Sequence, residues 1–137
     1  MLTSPVQHAK RTSELAAFRS RVEVDRDLVE WNYGEYEGLS TPDTRARRPD
    51  WTMLRDGFPN GESFDQIAAR ADRFVDRVRS SNGAVLLFSS GHLLRVLAAR
   101  WLGLKPQGAR HFLLGTASLC SRTYEHDRSA CGTTPIT

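Results

Sequence analysis

Three short stretches hold residues whose types and spacing could do chemistry. The first is Ser89-Ser90-Gly91-His92, set between the continuous apolar run 84–88 and an apolar-periodic segment that begins at Leu93. A strand, a tight turn and a helix in that order put backbone N–H groups, and the positive end of the helix dipole, beyond the carboxyl end of the strand. Such a junction suits an anion, cradled at Ser90-Gly91-His92; the alternative is an ordinary strand-to-helix turn. The second stretch, Thr3-Ser4-Pro5, has the same logic, because it follows a possible strand end and opens a helix. The third is Glu30, which heads the loop Glu30-Trp31-Asn32-Tyr33-Gly34-Glu35-Tyr36-Glu37-Gly38. A carboxyl among aromatic rings can serve as a general acid; the alternative is a surface carboxylate that caps or solvates the loop.

The elements that must position these residues are legible in outline. Ser4-Pro5 reads as a helix start, with the helix running through Ala9, Leu15, Ala16 and Phe18. Residues 22–28 alternate and suggest a short strand, and 41–55 an irregular helical stretch. Ser63 and Gln66 form a capping-box pair, and Phe64, Ile67, Ala68, Ala71, Phe74, Val75 and Val78 recur at helical spacing. Ala84 to Phe88 is expected to be a buried parallel strand. Leu93, Val96, Leu97, Trp101 and Leu102 mark a further helix, stopped by Gly103 and Pro106, and 117–124 a last strand. Helices alternating with strands indicate an α/β domain.

Composition bounds the rest. The chain has 137 residues, the length of one compact domain, with 39% hydrophobic residues and a net charge of +3. Arginines interleaved with acids, as in Asp72-Arg73 and Asp76-Arg77, read as an ion-paired surface and not as a nucleic-acid face. No apolar run reaches the ~20 residues of a membrane span. The first residues lack the basic and apolar regions of a signal peptide, so a cytoplasmic protein is expected. Cys120 and Cys131 have no metal-type spacing and are expected to be unpaired thiols.

Four ordered segments resemble the histidine phosphatase (phosphoglycerate mutase-like) superfamily over residues 1–126. Ser4-Pro5-Val6-Gln7-His8-Ala9-Lys10-Arg11-Thr12 is similar to its S-P-L-x-R-A-x-x-T segment. Residues 28–38, from Leu28 through Glu30 to Gly38, are similar to L-x-E-x-x-x-G-x-x-E-G. Gly61-Glu62-Ser63 matches the G-E-S that opens a long helix, and residues 88–97 resemble F-S-H-G-H-F-L-R-V-L. The resemblance implies a three-layer α/β sandwich with a mostly parallel sheet. It also implies a phosphomonoesterase that works through a phosphohistidine, with no metal or organic cofactor. Glu30 would be the proton donor, and Ser4, His8, Ser90 and Gly91 would line the phosphate. A phosphorylated small molecule or free phosphate is the expected partner, with no nucleic acid and no membrane.

The departures matter as much. No Arg-His-Gly motif occurs, so the nucleophile is missing and the sheet is expected to lack the family's first strand. His8 stands where the pattern has Arg, and Ser90 where it has the second catalytic His. A hydroxyl needs a base to become a nucleophile, and Ser90 has none in its own motif. His92 is the second His of the H-G-H pattern, a supporting first-turn position; His111 and His126 read as surface residues. Residues 127–137 are expected to be a divergent tail without a closing strand. Three readings result: a truncated, degenerate member with little activity; an active phosphatase whose Arg-His-Gly segment lies outside these residues; or a pseudoenzyme that binds a phosphate ligand or a partner.

Overall fold

The structure is a computed structural model that describes residues 1–16, 22–115, 118–125 and 128–135. Its centre is a parallel three-stranded sheet, in the order β2 (Glu23–Val24), β1 (Leu2–Thr3) and β3 (Leu87–Phe88). Leu2 faces Glu23 on one side and Leu87 on the other. A second, antiparallel pair is made by β4 (Ser118–Glu125) and β5 (Arg128–Pro135). The segment expected to be a strandless tail is therefore largely strand, because the tail can pair with β4 residue for residue. Phe18, Ala117, His126 and the side chain of Cys131 lie outside the described residues.

Helix α1 spans Gln7–Leu15, two residues later than Ser4-Pro5 suggested. Ser4 instead continues β1: its N–H donates to the Phe88 carbonyl, which holds the backbone extended and delays the helix. Residues 41–55 resolve into α2 (Thr41–Arg47) and α3 (Met53–Asp56). Helix α4 (Phe64–Arg79) begins with the expected capping box, both halves of it formed between Ser63 and Gln66. Helix α5 runs from Gly91 to Trp101. The buried faces of α4 (Ile67, Ala71, Phe74, Val75) and α5 (Leu93, Val96, Leu97, Trp101) pack together with Leu28 and Trp31 into one core. Each fully buried large apolar side chain there contributes about 1.5–3 kcal/mol before entropy is counted. No helix among the described residues is long and apolar enough to cross a membrane.

The run 84–88 departs from expectation. Only Leu87 and Phe88 pair as a strand, and residues 85–88 are half-buried, not buried. β3 pairs with β1 on one edge, and among the described residues no strand covers the other. A fully buried parallel strand needs both.

Two contacts fix the loop that carries Glu30. Arg70 forms a two-pronged ion pair with Glu62, at 2.8 and 2.7 Å, and also donates to the carbonyls of Asp27 and Val29. This ties the segment before Glu30 to α4. Gly34 adopts φ +54°, and a Cβ there would lie 2.3 Å from both the Gly61 nitrogen and the Pro59 carbonyl oxygen. Two backbones meet directly, which only glycine permits. The arginine-rich surface behaves as the interleaving implied: Asp27 pairs with Arg73 and Arg77, and Asp72 with Arg100.

Candidate active site

The carboxyl ends of β1 and β3 bring the predicted residues to one place. Ser90 occupies the N-cap position of α5 without a side-chain capping bond and is buried, and its Oγ lies 3.1 Å from Nε2 of His8 on α1. The two positions that depart from the family pattern are thus hydrogen-bonded to each other across 82 residues of sequence. A base-type partner for Ser90 does exist; it comes from another element and not from the motif around Ser90. Among the described residues nothing orients the other ring nitrogen of this exposed His8.

Glu30 reaches the same end of α5. Its carboxylate accepts from the backbone N–H of Leu93 at 2.8 Å, of His92 at 3.2 Å and of Trp31 at 2.9 Å. The anion position at the start of α5 is therefore filled in part by the protein's own carboxylate, which complements the helix dipole. Trp31 does not face the site. It is buried against Phe58 and Phe64, and its Nε1 donates to the Glu62 carbonyl. Glu30 is thus placed by helix N–H groups, with the neighbouring indole committed to the core.

Sequence reasoning missed a second pair. Tyr33 Oη lies 2.5 Å from Nδ1 of His92. Burial, reinforced by the Glu30 carboxylate, pushes the Tyr33 phenol well above its ordinary value, so it keeps its proton. Burial holds the His92 imidazole below its usual range; Arg95 adds to this, and Glu30 opposes it. Tyr33 therefore stays protonated and His92 is biased toward its neutral form, which weakens the 3.9 Å approach of His92 to Glu30 as an ion pair; the imidazole tautomer sets which of Tyr33 and His92 donates. The signal was available in part, since both residues belong to recognised motifs. Their pairing across 59 residues was not.

A cavity of about 1130 Å³ opens onto this site, with His8, Glu30, Ser90 and Gly91 in its wall. Ser4 is not part of that wall. It is fully buried behind it, with its Oγ turned to the Val6 N–H at 3.4 Å. Arg95, one turn into α5, donates to the Ala109 carbonyl. Among the described residues no cluster of His, Cys, Asp and Glu could hold a metal ion. The wall offers a hydroxyl, an imidazole, a helix N-terminus and a carboxylate, a set suited to an anion with a protonatable leaving group.

Known proteins resemble this chain to differing extents. An acid phosphatase of Mycobacterium tuberculosis is 38% identical over 128 residues, covering 92% of this chain and 63% of that protein. Sedoheptulose 1,7-bisphosphatase of Saccharomyces cerevisiae is 36% identical over 132 residues, covering 78% of this chain and 49% of that protein. The chain thus spans about half to two thirds of the length of these curated relatives. The solved structure of the Mycobacterium tuberculosis open reading frame Rv3214 superposes with a TM-score of 0.91 at 34% identity. It covers 99% of this chain and 71% of that one. A mycobacterial glucosyl-3-phosphoglycerate phosphatase, solved with inorganic phosphate, shares the fold at 23% identity, with a TM-score of 0.72, covering 98% of this chain and 74% of that one. The model of branch 1 of the histidine phosphatase superfamily matches residues 1–135, a span that holds both sheets and every residue of the site, and the chain belongs to that superfamily.

Proposed function

We propose that these 137 residues form the phosphoester-binding part of a histidine phosphatase site and do not by themselves turn a phosphomonoester over. The observation that carries this reading is the engagement of the available imidazoles. His8 is hydrogen-bonded to Ser90, and His92 to Tyr33. Neither stands at the end of a strand with its own positioning partner, as an attacking imidazole requires. What remains is anion binding at Ser90, Gly91 and His8, with Glu30 as proton donor to a leaving group. A general acid alone is worth about 10²–10⁴-fold, too little to make phosphate-monoester hydrolysis visible. The ligand is a small phosphomonoester or free phosphate, as the relatives' phosphatase activity suggests.

A second reading has its own support. The chain covers 63% of the acid phosphatase it resembles, and the cavity opens beside the site. A segment outside these residues that carries Arg-His-Gly would supply the nucleophile and restore an active enzyme.

The test is hydrolysis of an aryl phosphate. The chain, His8→Arg alone and Ser90→His alone should all stay at background. A chain extended by a strand ending in Arg-His-Gly, with both reversions, should turn substrate over and lose that activity on Glu30→Ala. Turnover by the unmodified chain that Ser90→Ala abolishes would overturn the reading, because the Ser90–His8 pair would then be the nucleophile and its base.

A further inference from the structure

The Ser90 hydroxyl is released from the task its position normally gives it. A serine at an N-cap accepts from the backbone N–H of the second or third helical residue. In α5 those residues are His92 and Leu93, and both donate to the Glu30 carboxylate. Ser90 makes no side-chain capping bond, and its Oγ lies against His8 Nε2 at 3.1 Å instead. Glu30 has taken over the cap, and the hydroxyl is left facing an imidazole.

The surroundings of this pair suit acyl chemistry. The Gly91 N–H, first of the helix, has no acceptor among the described residues. His8, Ser90 and Gly91 all line the large cavity, so the pair is reached from it. Leu87, Leu94, Leu97 and Leu119 line the same cavity. The arginines in its wall are turned to protein carbonyls, Arg79 to that of Trp101 and Arg122 to that of Leu94. Glu30, beside the pair, disfavours an anionic substrate there.

We propose that Ser90 and His8 form a nucleophile–base pair that cleaves neutral carboxylic esters with an apolar acyl chain. With its own proton on Nδ1, His8 accepts from the Ser90 hydroxyl. The Oγ attacks the ester carbonyl carbon as its proton passes to Nε2, and the carbonyl electron pair moves onto an oxygen that the Gly91 N–H meets. Collapse breaks the bond to the leaving alcohol, which departs with the proton from Nε2 and leaves acyl-Ser90. Water then attacks the acyl carbon, its proton passes through His8 to the Ser90 Oγ, and the carboxylic acid leaves. One free N–H matches one oxyanion. A phosphomonoester asks for more, because its transition state spreads charge over three oxygens and its uncatalysed hydrolysis is among the slowest known. The pair can therefore take up an acyl group without making the chain a phosphatase, and the inference does not depend on the phosphatase reading.

The probe is p-nitrophenyl butyrate, mixed with the 137-residue chain while nitrophenol release and intact mass are followed. Its aryl group departs readily, so acylation outpaces deacylation and acyl-Ser90 should accumulate. A stoichiometric burst, a single added butyryl group and its location on Ser90 by peptide mapping are expected. Ser90→Ala should lose both burst and adduct. His8→Ala should slow acylation about 10²-fold or more, and added imidazole should restore part of the rate. Glu30→Ala frees the His92 and Leu93 N–H groups, so Ser90 should turn to cap the helix and the burst should shrink. His111→Ala, at an exposed histidine, should change nothing. Absence of a burst, butyryl groups on Lys10 or the N-terminal amine in place of Ser90, or an unchanged rate in His8→Ala would overturn the proposal. So would acylation of Ser90 that persists in denaturing urea, because the pair exists only in the folded chain.

Discussion

Glu30 has a structural task beside the catalytic one proposed for it. By resemblance it is a proton donor, and in the structure its carboxylate also caps α5 through the N–H groups of His92 and Leu93. Glu30→Gln keeps the shape but replaces one charged acceptor oxygen with a donor. It should cost about 1–2 kcal/mol of stability, read from urea unfolding, whether or not any substrate is present. An unchanged midpoint would show that the carboxylate does not support the helix. His92 gives a residue-scale test in pH. Its folded imidazole is held below the ordinary value, so below about pH 6.5 the unfolded chain binds a proton that the folded chain refuses. Stability should therefore fall as pH drops through that value toward the lower folded one, and be flat above it. His92→Asn should flatten the melting-temperature profile in this window.

At the scale of elements, the site depends on how the Glu30 loop is pinned to α4. Arg70 is nearly buried and satisfies Glu62 and two loop carbonyls together. Arg70→Ala leaves Glu62 without its partner and frees both carbonyls, for an expected loss of about 2–4 kcal/mol. Weakening of phosphate binding should accompany it, because the loop sets the position of Glu30. Gly34→Ala is the sterically sharper change. A positive φ and a 2.3 Å approach to backbone atoms leave no room for a methyl group, and a loss of at least about 1–3 kcal/mol is expected. Both variants can be checked by thermal denaturation followed by circular dichroism.

For the molecule as a whole, the consequence of two separate sheets is a thin margin. Unpaired edges on β3 and β4 border one large cavity, and Leu113 and Leu119 are exposed nearby. Ordinary domains hold only ~5–15 kcal/mol of net stability, and uncovered strand edges invite association. The isolated chain should unfold at or below the low end of that range and self-associate as concentration rises. Urea titration and sedimentation velocity measure both. A sharp transition at high temperature from a clean monomer would contradict this.

The sequence by itself determined the parts whose physics is local. The Ser63–Gln66 capping box, the apolar faces of α4 and α5, and the turn at Ser89-Ser90-Gly91 follow from spacing within a few residues, and the family pattern ordered them. What only the tertiary structure decided are pairings between distant residues. His8 meets Ser90, Tyr33 meets His92, and Arg70 gathers the loop before Glu30, each across more than 40 residues of chain. Periodicity cannot show such contacts, because they are set by how elements pack and not by what adjoins them. The same holds for the run 84–88. Its apolar sequence promised a buried strand, but burial depends on what lies along both edges, and only one edge of β3 is covered by another described strand.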